Sequence, residues 1–118
     1  MAVSDNVKRG SIDVIILTIL QDGDMYGYLL SQEIEKRSNG RYTLQESSMY
    51  PMLYRLVDKG FISCRQEKVG KRRVRVYYHL EPQGKQYLAV AKKEYLSLTL
   101  GVLSVLGVER LEDMTNEW

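Results

Sequence analysis

A chain of 118 residues with 44% hydrophobic and 27% charged residues has the balance of one compact folded domain, which excludes a disordered segment. No apolar run approaches the roughly 20 residues needed to cross a bilayer, and the N-terminus, with Asp5 and Lys8-Arg9 leading into a helical pattern, does not read as a signal peptide. The single cysteine, Cys64, rules out an internal disulfide and a thiolate metal site, so no metal or cofactor is expected and a cytoplasmic location is the default.

The spacing of Ile12, Ile15, Ile16, Ile19 and Leu20 predicts a helix from about Arg9 to Gln21. Val14 and Leu17 widen its apolar stripe until little of the helix is polar, so it should lie at the centre of the domain; Asp22-Gly23-Asp24 ends it. A second helix is expected from Tyr26 or Gly27 to Arg37, with Leu29, Leu30 and Ile34 inward, Gln32, Glu35 and Lys36 outward, and Asn39-Gly40 as its stop. A third begins near Ser47 or Ser48, where a hydroxyl would cap the first turn. Met49, Met52, Leu53, Leu56 and Val57 then follow at helical spacing, Pro51 falls in the tolerant first turn, and Gly60 closes the element.

A hairpin comes next. Phe61 to Gln66 and Arg73 to Leu80 are strand-like and joined by a turn that holds Gly70. In the second strand Val74, Val76, Tyr78 and Leu80 alternate with Arg73, Arg75, Tyr77 and His79, which predicts one buried face and one wet, basic face. Pro82 opens a long final helix to about Leu106, with Tyr87, Leu88, Ala91, Tyr95, Leu98 and Val102 along one side. Three helices, a hairpin and a helix make an α+β, mainly helical fold, the winged helix-turn-helix with a long C-terminal dimerisation helix. Residues 1–81 form the DNA-binding region, 82–107 the dimerisation helix of the same domain and 108–118 an acidic tail.

Net charge is only +2, but its distribution is uneven. Between Arg65 and Arg75, six basic residues face the single acid Glu67, whereas the tail from Glu109 onward is mostly acidic. A local basic patch is the footprint expected for a phosphate backbone. If the apolar stripe of the third helix packs inward, Ser47, Ser48, Tyr50, Tyr54 and Arg55 lie on or near its other side, where hydroxyls and an arginine suit phosphates and base edges, with Tyr50 equally suited to a partly buried packing role. Lys71, Arg72 and Arg73 would add backbone contacts from the hairpin, and Arg9 from the N-terminus. The last helix carries more apolar surface than so small a body can cover, which points to a homodimer and therefore to a palindromic operator in double-stranded DNA.

Four segments resemble the PadR-type regulators, named for the repressor of phenolic-acid decarboxylation. Arg9-Gly10-Ser11-Ile12-Asp13-Val14-Ile15-Ile16-Leu17 is similar to that family's opening helix, and Tyr26-Gly27-Tyr28 to its Tyr-Gly-Tyr signature. Ser48-Met49-Tyr50-Pro51-Met52-Leu53-Tyr54-Arg55-Leu56 resembles its recognition-helix motif. Arg75-Val76-Tyr77-Tyr78-His79-Leu80, followed by Gly84, resembles its wing strand and the lead into the last helix. Glu81 departs from the family's usual threonine, which would cap that helix, and the short chain resembles the compact subfamily. The resemblance implies a repressor released by a small ligand. It also implies a site for a flat aromatic or cationic effector between two subunits, at the positions of Val14, Ile15, Leu88, Lys92 and Tyr95. Trp118, at the end of the tail, is a further stacking candidate.

Two other readings compete. A winged helix can serve as a protein-interaction adaptor, or as a redox-responsive regulator through Cys64, although a lone strand cysteine is ordinarily a small core residue. An enzyme is not expected. His79 is the only histidine, and there is no Ser-His-Asp or Cys-His arrangement, no phosphate-cradling glycine loop and no His/Cys cluster with metal spacing.

Overall fold

The computed structural model describes residues 10–109. In chain order the elements are α1 (Ile12–Leu20), β1 (Met25–Tyr26), α2 (Gly27–Arg37), α3 (Glu46–Asp58), β2 (Ile62–Val69), β3 (Arg73–Leu80) and α4 (Pro82–Leu106). The strands form one antiparallel sheet in the order β1-β3-β2. The chain divides into two compact units, one ending at Leu88 and the other beginning at Ala89.

In the first unit the helical stripes converge as their spacing requires. Ile16, Leu17, Ile19 and Leu20 of α1 are buried with Leu30 and Ile34 of α2 and with Met49, Leu53 and Leu56 of α3. Ile62, Tyr78 and Leu80 close this core from the sheet, and Leu88 from α4. At roughly 1.5–3 kcal/mol for each fully buried aliphatic side chain, this cluster is the main source of stability for the helix-turn-helix. In the second unit α4 leaves Leu96, Leu98, Leu100, Val102, Val105 and Leu106 exposed.

Several boundaries differ from expectation for local reasons. α1 starts at Ile12 rather than near Arg9, and Ser11, at its N-cap position, makes no capping bond because its hydroxyl pairs with the Tyr42 hydroxyl at 2.8 Å. α3 begins at Glu46, not Ser47 or Ser48. Gln45 is extended there with no side-chain cap, and an acidic residue in the first turn suits the helix dipole. β2 runs three residues further toward the tip than expected, because it pairs with β3 as far as Val69 opposite Arg73. β1 was not foreseen. It is two residues long, held by Met25 opposite Tyr78 and Tyr26 opposite Tyr77, and a pair that short has no alternation to detect.

At the start of α4, Glu81 replaces capping by a tie to the sheet. Its carboxylate accepts the Ser63 hydroxyl at 2.7 Å, and its N–H donates to the Phe61 carbonyl at 3.0 Å. Gly84 then lies so close to β2 that a Cβ would sit 2.1 Å from the Phe61 carbonyl oxygen. Phe61 and Tyr87 stack beside this crossing, with ring centroids 4.5 Å apart.

Candidate nucleic-acid interface

α3 turns Met49, Leu53 and Leu56 into the core, and the same helical period turns Ser47, Ser48, Pro51, Tyr54 and Arg55 outward. The predicted face is therefore present, but its members are not equivalent. Ser47 and Ser48 are exposed in the first turn. Arg55 donates to the Asp13 carboxylate at 3.0 Å, which clips α3 to α1 and leaves this guanidinium partly neutralised. Tyr50 is half-buried and its hydroxyl donates to the Glu46 carboxylate. That hydrogen bond, with burial second, pushes the phenol up to about 12, so Tyr50 remains neutral. The pair packs against Gly27, where a Cβ would sit 3.2 Å from the Tyr50 hydroxyl. Tyr54 stacks beside Tyr50 at 6.3 Å and is 61% exposed.

The β2–β3 hairpin has two chemically distinct faces, set by its register. Ile62 opposite Leu80, Cys64 opposite Tyr78, Gln66 opposite Val76 and Lys68 opposite Val74 share the face toward α3. Their burial fades along the strands: Ile62, Leu80 and Tyr78 are core, whereas Val74 is 55% exposed. Val74 was expected on the buried face, but the core ends before the strand reaches it. Cys64, expected as a core residue, is exposed, because Tyr78 occupies the buried half of that pair. Beyond this point the strands and α3 diverge around a groove of about 540 Å³, lined by Glu46, Tyr50 and Tyr54 on one side and Cys64, Arg65, Gln66, Val74, Arg75 and Val76 on the other.

The opposite face of the hairpin is braced by its own charges. Arg65 donates to the carboxylates of Asp24 and Glu67, and its guanidinium lies 5.3 Å from the Tyr77 ring centroid. His79 bonds Asp24 through Nδ1 at 2.6 Å, and Arg75 covers Tyr26 at 4.2 Å. Tyr26 meets Tyr77 edge to face at 5.5 Å. The hydrogen bond from His79, followed by that from Arg65, holds the Asp24 carboxyl below its ordinary value despite some burial. Lys68, Lys71, Arg72 and Arg73, around a tip turned by Gly70 at φ +77°, are exposed and make no ion pair among the described residues.

A helix-turn-helix followed by a braced hairpin with a basic tip is the winged-helix arrangement. The model of the transcriptional regulator PadR-like family matches residues 16–90. The chain belongs to the PadR-like family of transcriptional regulators. A transcriptional regulator from Clostridium thermocellum has a similar structure, with a TM-score of 0.74 and 33% identity over 84% of this chain and 95% of that one. The negative transcriptional regulator PadR of Bacillus subtilis is 32% identical over 73 residues, 62% of this chain and 40% of that protein. The structure of Bacillus subtilis PadR in complex with operator DNA is similar with a TM-score of 0.61 and 30% identity, over 65% of this chain and 44% of that one. This chain therefore spans less than half the length of the Bacillus protein. Family membership makes it a regulator rather than an enzyme.

The positions expected for an effector are distributed unevenly. Val14 and Ile15 line a mainly apolar hollow of about 250 Å³ with Thr18, Ile34, Arg37 and Tyr42. Leu88 does not join them: it is 1% exposed within the core, because it is the inward residue of the first α4 turns. Lys92 and Tyr95 lie on α4 in the second unit, Lys92 exposed and Tyr95 half-buried. Arg9 and Trp118 lie outside the described residues. Asp24 and Glu46 were missed, since an acid beside a basic patch carries no signal until folding shows which cation or hydroxyl it meets. Among the described residues there is no helix long and apolar enough to cross a membrane and no cluster of side chains suited to a metal.

Proposed function

We propose that the protein is a sequence-specific DNA-binding repressor that acts as a homodimer on a palindromic operator and is released by a small aromatic or cationic effector. The observation that carries this reading is that α3 and the hairpin flank one groove, and that the same hairpin carries Lys68, Lys71, Arg72 and Arg73, exposed and without an ion pair among the described residues. Ser47, Ser48 and Tyr54 on α3 are the groups placed to meet base edges and phosphates. Lys71, Arg72 and Arg73 supply sequence-independent affinity. Arg55 contacts DNA only by sharing its charge with Asp13, and Tyr50 only by giving up Glu46. That the Bacillus protein is a negative transcriptional regulator with a structure in complex with operator DNA supports repression and DNA as the partner. The exposed leucines and valines of α4 support a homodimer, which sets the half-sites about one helical turn, roughly 34 Å, apart. The Val14–Ile15 hollow supports an effector site.

The test is a fluorescence-anisotropy titration against DNA from upstream of the protein's own gene, at two salt concentrations, with a scrambled duplex as control. Tight, salt-sensitive binding that prefers the native sequence is expected. Equal binding to both duplexes would remove sequence specificity, and no binding by a folded dimer at low salt would leave a winged helix used on protein. The exposure of Cys64 in the groove favours redox-responsive release as the second reading. Operator binding that is indifferent to peroxide eliminates it.

A further inference from the structure

The braced face of the hairpin carries a cluster of charges whose balance depends on one proton. By register Ser63 lies opposite His79, Arg65 opposite Tyr77 and Glu67 opposite Arg75, so all six residues share that face. Asp24, immediately before β1, reaches the same place: Oδ1 meets the His79 Nδ1 at 2.6 Å, and Oδ2 accepts from Arg65. Arg65 also donates to Glu67 at 2.9 Å, and Glu81 accepts the hydroxyl of Ser63, the cross-strand neighbour of His79. Short of the tip at Arg73, three carboxylates (Asp24, Glu67 and Glu81) thus stand against two guanidiniums (Arg65 and Arg75) among the described residues. One negative charge is left over while the imidazole is neutral, and none when it is protonated.

Histidine is the side chain that ordinarily changes charge between about pH 5 and 8, and His79 is the only histidine in the chain. It is more than half exposed, so a proton reaches it without unfolding. Carboxylates face it from two sides, Asp24 from the turn before β1 and Glu81 just ahead of α4, with Arg65 and, through it, Glu67 on β2 and Tyr77 on its own strand. Asp24 stays ionised across this range, because its hydrogen bonds hold the carboxyl below its ordinary value. The strand that bears His79 at its root also bears Arg73 at its tip, so the charge of the imidazole acts on the element that offers cations to DNA. A surplus negative charge there opposes a polyanion; an imidazolium cancels it and strengthens the tie to Asp24. We propose that His79 makes operator binding sensitive to pH, with proton uptake at His79 strengthening binding and loss of that proton weakening it. This rests on the DNA-binding reading and adds a signal to it, the proton.

The experiment is an anisotropy titration of the full chain with the upstream duplex at about pH 6 and about pH 8, at one fixed ionic strength. Wild type should bind about threefold more tightly at the lower pH, the size expected of a single solvated charge. His79→Asn keeps a hydrogen-bond donor for Asp24 but takes up no proton. Its affinity should be the same at both pH values and close to the weaker of the two wild-type values. His79 is more than half exposed, so the variant keeps the fold. The single imidazole resonance of the chain gives an independent reading by proton magnetic resonance: by linkage it should titrate at higher pH in the operator complex than in the free protein. A wild type equally tight at both pH values, a pH dependence that His79→Asn retains, or an imidazole titration unmoved by operator overturns the proposal. Failure to bind the duplex at either pH refutes the parent reading, and this one with it.

Discussion

The two faces of the β2–β3 hairpin differ in composition, one mainly apolar and one mainly charged, and have opposite roles. One face runs from Ile62 and Leu80 in the core to Lys68 and Val74 in solvent, and its chemistry is left open to a partner. The other holds Arg65, Glu67, Arg75, Tyr77 and His79, and with Asp24 and Tyr26 it satisfies its own charges and rings. Counting cations along the strand overstates the positive charge available to DNA, because the braced face has already matched its share. A wing needs both: a root and a back stiff enough to aim the tip, and a front left unsatisfied.

The largest contrast should appear at the root, between adjacent residues on opposite faces. Leu80→Ala removes a core side chain that is 3% exposed and should cost about 2–5 kcal/mol of unfolding free energy in a denaturant titration. His79→Ala, one position away on the other face, should cost far less. Equal losses would mean that the core does not anchor the strand in the way its burial implies.

The next effect is at the tip. Replacing Lys71, Arg72 and Arg73 with glutamine should weaken binding to operator and scrambled DNA alike. It should also flatten the dependence of log affinity on log salt by roughly 0.9 unit for each lost phosphate contact. Stability should change little, because these residues are exposed. A smaller effect, and a sharper test of the two-face distinction, comes from single changes. Arg72→Gln should lower the salt slope by about 0.9 if it meets one phosphate, whereas Arg65→Gln should leave the slope nearly unchanged. A full unit lost at Arg65 would show that the back of the wing reaches DNA and that its ion pairs with Asp24 and Glu67 open on binding.

The sequence carried the helical core plainly, because 3.6-residue spacing is a property of single segments, and Ile16, Leu30, Leu53 and Leu56 are buried as that spacing requires. The basic tip was equally legible as a run of charge. What escaped was whatever depends on two segments meeting. β1 is too short to show alternation, and it exists only because Tyr77 and Tyr78 lie opposite it. Arg55 carried no sign of a partner until α1 brought Asp13 beside it, and the choice for Tyr50 between packing and phosphate contact stayed open until the turn of α3 placed Glu46 within reach. Leu88 read as a lining position, but it sits where α4 still belongs to the core. Gly84 is an intermediate case: a glycine just inside a helix costs stability, which hints at a close approach, but only the structure identifies the Phe61 carbonyl.

The smallest expected effect concerns the brace itself. Hydrogen bonds from His79 and then Arg65 hold the Asp24 carboxyl below its ordinary value of 3.8, so the folded protein favours the ionised form. A group depressed on folding contributes stability above its unfolded value and loses it as the pH falls through the folded one. Wild type should therefore exceed Asp24→Asn by a modest margin near neutral pH, because the partners are largely solvated. That margin should close as the pH drops below 3.8 and Asp24 takes up its proton. A thermal-melting series across that range measures it. A margin that persists unchanged in acid would mean that Asp24 acts through the geometry of its turn rather than through its charge. The back of the wing would then be held by Tyr26, Tyr77 and Arg75 alone, and the ion pairs would be incidental to how the tip is aimed.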